Sequence, residues 1–124
     1  YNLKLVARGL RFVLKDTYHL IDRLKIFTFD GSPLLITGDV SSLYTNMVNL
    51  RSLSEAKKKL SSYSDNEKQI DFLISLLKHS LTHNTFLFNN RKYIQTSGCA
   101  MGKAYSPTLA NIYLEELDLF VTNN

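Results

Sequence analysis

The sequence has 124 residues, 44% of them hydrophobic, with seven Tyr, seven Phe and no Trp, which suffices for one packed domain and is too short for two. A net charge of +4 favours an anionic partner such as nucleic acid, but many soluble domains carry as much, so charge alone decides nothing. The single cysteine, Cys99, excludes an intrachain disulfide framework and fits a reducing compartment.

No apolar run approaches the roughly 20 residues that a bilayer span requires. Lys4, Arg8, Arg11 and Lys15 interrupt the first stretch, so it does not read as a signal peptide. The sequence begins at Tyr1 without an initiator Met, and it is expected to be a piece of a longer product.

In chain order, residues 3–14 are apolar and basic and read as a helix. Asp16 is a candidate N-cap for a second helix over 17–26, with Leu20, Ile21 and Leu24 on one face. Asp30-Gly31-Ser32-Pro33 is a turn, and residues 34–40 after it read as a buried strand ending in the carboxylate of Asp39. A second turn spans 41–46. Ser54 is expected to cap a lysine-rich helix over 55–62, and Asp65 to start another, whose Ile70, Leu73, Ile74, Leu77 and Leu81 follow the helical period.

Residues 86–88 and 92–95 flank Asn89-Asn90 and read as a hairpin, because Asn tolerates the positive φ of a tight turn. A small-residue loop over 97–102 precedes Pro107, which suits a first helical turn. Leu109, Ile112, Tyr113, Leu117 and Phe120 mark the closing helix. The order of elements is α+β. His79 and His83 lie four apart on a helix, a spacing that zinc sites also use. No Cys or acidic residue follows at a ligand spacing, so the pair reads as a solvated helix end.

Two stretches go beyond a generic fold. In Thr37-Gly38-Asp39-Val40-Ser41-Ser42-Leu43-Tyr44-Thr45-Asn46, a strand ending in Asp sets a carboxylate on a rigid element. Such a residue can bind the magnesium ions of a phosphoryl transfer, and it can equally form a turn or cap a helix. Tyr44 is either a ring beneath a sugar or a half-buried core residue. In the second stretch, over 93–115, a loop with Gly98 and Gly102 runs into a helix N-terminus. It offers backbone N–H groups and, at Lys103, a charge toward phosphate; the glycines can equally serve only to shape a turn.

Taken together and in this order, the two stretches resemble reverse transcriptase motifs A and B. The likeness is closest to Penelope-like retroelements, with their "D-V-S-S-L-Y-T-N" block and later "F-x-F…Y-x-Q-x-x-G-x-A-M-G…P-x-x-A-N". This sequence carries Asp39 to Asn46, then Phe86, Phe88, Tyr93, Gln95, Gly98, Ala100, Met101, Gly102, Pro107, Ala110 and Asn111. Upstream, Val13-Leu14-Lys15-Asp16-Thr17 with Leu24-Lys25 is similar to the family's "V-K-D-T…L-K" lead-in.

The resemblance implies one partial reverse transcriptase domain over 1–124, a ferredoxin-like palm with helices packed on a small antiparallel sheet. Its parts are a helical lead-in (1–32), the motif A strand and turn (33–46), helices (51–83), a hairpin (86–95), and the motif B loop and helix (96–121). Asp39 falls at the catalytic metal ligand. Val40, Tyr44 (the sugar gate), Met101, Gly102 and Lys103 fall toward the nucleotide, and Gly98, Ser106 and Pro107 toward template and primer. Met101 stands where many other reverse transcriptases have Gln, as it does in the Penelope-like pattern. The implied cofactor is a pair of magnesium ions, and the implied partners are an RNA template, a DNA primer, a deoxynucleotide and the remaining palm, fingers and thumb, with no membrane. The implied place is intracellular, nuclear before cytoplasmic.

The family's paired-Asp motif C and its triphosphate-gripping finger residues are not found in the sequence. Glu115, Glu116 and Asp118, the later carboxylates, have the spacing of a solvent-facing helix. One Asp cannot hold two magnesium ions, so the isolated chain is expected to be inactive and to bind them weakly, with an exposed sheet edge and poor solubility. The rival expectation is a degenerate, non-catalytic remnant that binds nucleic acid or a protein through Lys57-Lys58-Lys59 and Arg91-Lys92. The polymerase reading requires Asp39 to face the glycine-bearing bend across a gap.

Overall fold

Asp16 caps the first helix as its position suggests: its carboxylate accepts from the backbone N–H of His19 at 2.8 Å, and α1 (Thr17–Leu24) follows. The structure, a computed structural model, describes Leu3, Val6 and residues 9–123. Of the helix expected over 3–14, residues 4, 5, 7 and 8 lie outside the described residues, and residues 9–14 are turn or irregular, which corrects the expectation there. Leu3 and Val6 are helical, whereas residues 13–15 have no regular structure. Helix α1 ends short of 26, and Ile26 and Phe27 close it with three-residue bonds to Arg23 and Leu24.

Residues 32–40 form no strand, which corrects the expectation for 34–40. Leu34, Leu35 and Ile36 are 84%, 85% and 80% exposed. A strand needs a neighbour to take its backbone bonds, and among the described residues the hairpin strands pair only with each other.

The next turn is the short helix α2 (Leu43–Asn46). Ser42 enters it at φ 52, and its carbonyl accepts from the Thr45 hydroxyl at 2.9 Å. Helix α3 (Asn49–Ser61) begins upstream of the expected 55, and Ser54 lies inside it rather than at its cap. The helical period starts earlier than the lysine run: Ser52, Ala56 and Leu60 face inward, and the Ser52 hydroxyl donates back to the Val48 carbonyl at 3.0 Å. Helix α4 (Glu67–Thr82) is capped by Asn66, not Asp65; the Asn66 side chain accepts from the Gln69 N–H at 3.1 Å. Ile70, Leu77 and Leu81 are its buried face.

Strands β1 (Thr85–Phe88) and β2 (Arg91–Ile94) pair antiparallel, Phe86 opposite Tyr93 and Phe88 opposite Arg91. Asn89 and Asn90, at φ 48 and 58, make the two-residue turn that the sequence predicts. Helix α5 (Ser106–Asn123) carries Pro107 in its first turn.

The described residues thus give a mixed α+β chain of five helices and one two-stranded antiparallel sheet. The expected laying of helices on the sheet is corrected, since α3 packs on α4 and on α5 while every hairpin residue stays exposed. The core is therefore interhelical. One cluster joins Met47, Ala56, Leu77, Leu81, Cys99, Leu109 and Ala110, and a second joins Val6, Leu10, Leu60, Ile70 and Ile112. Among the described residues no helix is long and apolar enough to cross a membrane.

Candidate functional site

The two stretches singled out in the sequence meet in space, and they meet through backbone. The Cys99 N–H donates to the Tyr44 carbonyl at 2.7 Å. Gly98, at φ 76, lies so close to α2 that a Cβ there would sit 2.6 Å from the Tyr44 carbonyl oxygen and 2.7 Å from that of Thr45. Only glycine combines that φ with that approach.

Around this junction the loop is closed from within. The buried Ser106 hydroxyl donates to the Ala100 carbonyl at 2.5 Å and accepts from the Cys99 thiol at 3.1 Å. Burial holds the Cys99 thiol above the ordinary range, against the lowering effect of Ser106. Two residues expected on the template side are turned inward. Gly98 is buried against α2, and the Ser106 hydroxyl is committed to the loop, so neither presents its side outward.

Met101, Gly102, Lys103 and Pro107 do form an exposed rim. Gly102 has φ 85 and open space where a Cβ would be, so its glycine character is conformational rather than steric. Tyr44 is half-buried, its ring against the core cluster of Met47 and Leu109. Asp39 and Val40 are exposed. They line an open hollow with Phe12 and the second half of α5, at Leu114, Leu117, Asp118, Val121 and Thr122. None of the residues lining that hollow comes from the 98–107 loop, so the junction of the two stretches is at Tyr44 and Gly98 and not at Asp39.

Two of the late carboxylates, Glu115 and Asp118, are less solvated than their spacing suggests, while Glu116 is exposed. Glu115 is 21% exposed and ion-paired with Lys59, while Glu116 pairs with Arg51 at 3.0 Å and with Lys58 at 3.6 Å. Asp118 is half-buried; burial and then the charge of Glu115 push its carboxyl above the usual range. Its place on the Asp39 hollow was missed, although Leu114 and Val121, four before and three after it, put it on a partly apolar face.

Two carboxylates on one hollow do not offset two magnesium ions, and among the described residues no group of three or more His, Cys, Asp or Glu could hold a metal. The residues present therefore do not fit the ion pair. The basic side is also altered: Lys57 pairs with Asp71 at 2.7 Å, Lys58 with Glu116 and Lys59 with Glu115. Arg91, Lys92 and Lys103 remain exposed, with no ion pair among the described residues.

Compared with protein-family models, curated proteins and solved structures, the chain has no match.

Proposed function

We propose that the chain is part of the ferredoxin-like palm of an RNA-directed DNA polymerase of the Penelope-like type. The supporting observation is the backbone junction of Tyr44 with Gly98 and Cys99, which joins the Asp39-bearing stretch to the glycine-bearing loop; Asp39 itself lines the hollow against α5 instead of facing that loop, which counts against the reading. The exposed rim of Met101, Gly102 and Lys103 lies in the same loop, where a nucleotide or template can reach it.

In the intact polymerase Asp39 would hold magnesium together with the paired Asp of motif C, and the ions would offset the charge of the phosphoryl transfer. The exposed apolar stretch at Leu34, Leu35 and Ile36 then has a sheet to join, in place of the solvent it faces here. The isolated chain, with its incomplete acidic set, does not polymerise. The intact enzyme uses RNA template, DNA primer and deoxynucleotide, and the Penelope-like resemblance favours the nucleus.

The rival reading, a non-catalytic remnant gripping nucleic acid through its basic helices, is weakened at its centre. Lys57, Lys58 and Lys59 are engaged by Asp71, Glu116 and Glu115. Template-primed nucleotide incorporation by the parent polypeptide separates the two readings. Asp39→Asn is expected to abolish incorporation while leaving primer–template binding intact. Equal incorporation by the two proteins removes Asp39 from the chemistry and the proposal with it.

A further inference from the structure

The hairpin carries a surface that neither the core nor the polymerase chemistry uses. Phe86 stands opposite Tyr93 and Phe88 opposite Arg91, so these four side chains share one face of the two-stranded sheet. The Phe86 and Tyr93 rings stack with centroids 5.6 Å apart and planes 20° from parallel, and the Phe88 ring lies 6.4 Å from that of Tyr93, tilted by 60°. The three rings form one contiguous aromatic surface. Phe86, Phe88 and Tyr93 nevertheless remain 49%, 69% and 41% exposed, because neither strand packs on a helix. A cross-strand aromatic pair steadies a hairpin, which accounts for Phe86 against Tyr93 but leaves the exposure of Phe88 unexplained.

The charge around this face is of one sign. Residues 72–114 hold four basic side chains, Lys78, Arg91, Lys92 and Lys103, and no acidic one. Of fifteen basic and eleven acidic residues in the chain, those outside this stretch balance at eleven of each, so the whole net charge of +4 resides within it. Lys57 and Lys59 are engaged by Asp71 and Glu115, whereas Arg91 and Lys92 have no ion pair among the described residues. Charge also decides what can cover the face. A second copy of the chain laid against it would bring two sets of unpaired cations together, with no carboxylate in either hairpin to offset them. Rings and cations together instead attract a polyanion that offers flat apolar faces.

We propose that the face of Phe86, Phe88 and Tyr93 is a stacking platform for the unpaired bases of a single-stranded nucleic acid, with Arg91 held to its phosphates. Every base has a flat π face, so such a platform takes any sequence, while a duplex keeps its base faces stacked within itself. Lys92, next to Arg91, adds to the attracting field. The inference does not rest on the polymerase reading, since Asp39, magnesium and nucleotide transfer play no part in it.

Fluorescence anisotropy of a labelled single-stranded oligodeoxythymidylate, titrated with the full chain, tests the proposal. The strand is expected to bind about fivefold or more tighter than an abasic strand of the same length, and tighter than a duplex with the same number of phosphates. Phe88→Leu and Tyr93→Leu each weaken binding by about fivefold or more, while far-UV dichroism stays unchanged. Arg91→Gln lowers the slope of log affinity against log salt by about 0.7. Lys57→Gln, which alters a lysine already engaged by Asp71, leaves binding as it was. Equal affinity for the abasic and base-bearing strands would reduce the face to plain charge and overturn the proposal, as would unchanged affinity in both leucine variants. Absence of binding overturns it too, and self-association abolished by Phe88→Leu would then give the face to a second copy.

Discussion

The carbonyl oxygen of Tyr44 accepts a 2.7 Å hydrogen bond from the backbone N–H of Cys99, and Gly98 fits between them only because it has no side chain. Gly98→Ala meets two penalties at once, a left-handed φ of 76 and contacts under 3 Å with rigid backbone. Together they are expected to cost roughly 2–4 kcal/mol. Gly102→Ala meets only the first, since nothing lies within 4 Å of its added methyl, and is expected to cost about 1 kcal/mol. Urea unfolding of both variants checks the difference. Equal losses would mean that the 98–107 loop is not seated on α2.

Lys59 and Glu115 tie α3 to α5 with side chains 23% and 21% exposed, whereas Lys57 and Asp71 tie α3 to α4 at 55% and 64%. A partly desolvated pair leaves its partner stranded when cut, so Lys59→Ala is expected to lower stability by about 1–3 kcal/mol. Lys57→Ala strands no such group; the hydrogen bond and charge of Asp71 raise the Lys57 pKa, but both side chains stay mostly exposed, so the loss should scarcely register. A double-mutant cycle on Lys59 and Glu115, against the same cycle on Lys57 and Asp71, reads the contrast directly.

The elements legible in the sequence were those specified by neighbours along the chain. Asp16 as a cap, Asn89-Asn90 as a turn and Pro107 in a first helical turn each act over a few residues, and each stands where local chemistry places it. The stretch at Leu34, Leu35 and Ile36 was not legible, because an apolar run acquires strand structure only from a partner strand, and the run itself does not say where that partner is. The start of α3 was misjudged for a related reason. Ser54 has the chemistry of a cap, but the inward face of Ser52, Ala56 and Leu60 carries the helix back through it. Within the candidate site, the glycines were identifiable as special, while what each accommodates was not. Gly98 clears the α2 backbone and Gly102 clears nothing.

Asp118 gives a pH dependence of definite sign. Its carboxyl is raised by burial first and by the charge of Glu115 second, so the folded chain holds the proton more tightly than the unfolded chain does. Its stabilising contribution is complete below the ordinary carboxylate range and is lost as pH rises through the raised folded value. Asp118→Asn removes that loss. The variant is expected to be the more stable protein near neutral pH, with the advantage shrinking to nothing in acid. Thermal unfolding of both proteins across that range checks it, and an advantage that persists unchanged in acid would assign the effect to something other than ionisation.

Leu34, Leu35 and Ile36 present an apolar, unpaired backbone to solvent, and the two outer edges of the hairpin are also unpaired among the described residues. Backbone donors and acceptors left open along apolar segments recruit further strands, most readily from another copy of the same chain. A charge at the middle of the run should block that recruitment without touching the interhelical core, from which Leu35 is remote at 85% exposure. Leu35→Lys is therefore expected to reduce light scattering of concentrated solutions while changing unfolding free energy by no more than about 0.5 kcal/mol. A loss of several kcal/mol instead would place Leu35 in a packed environment, and the run would then be a strand of this chain after all.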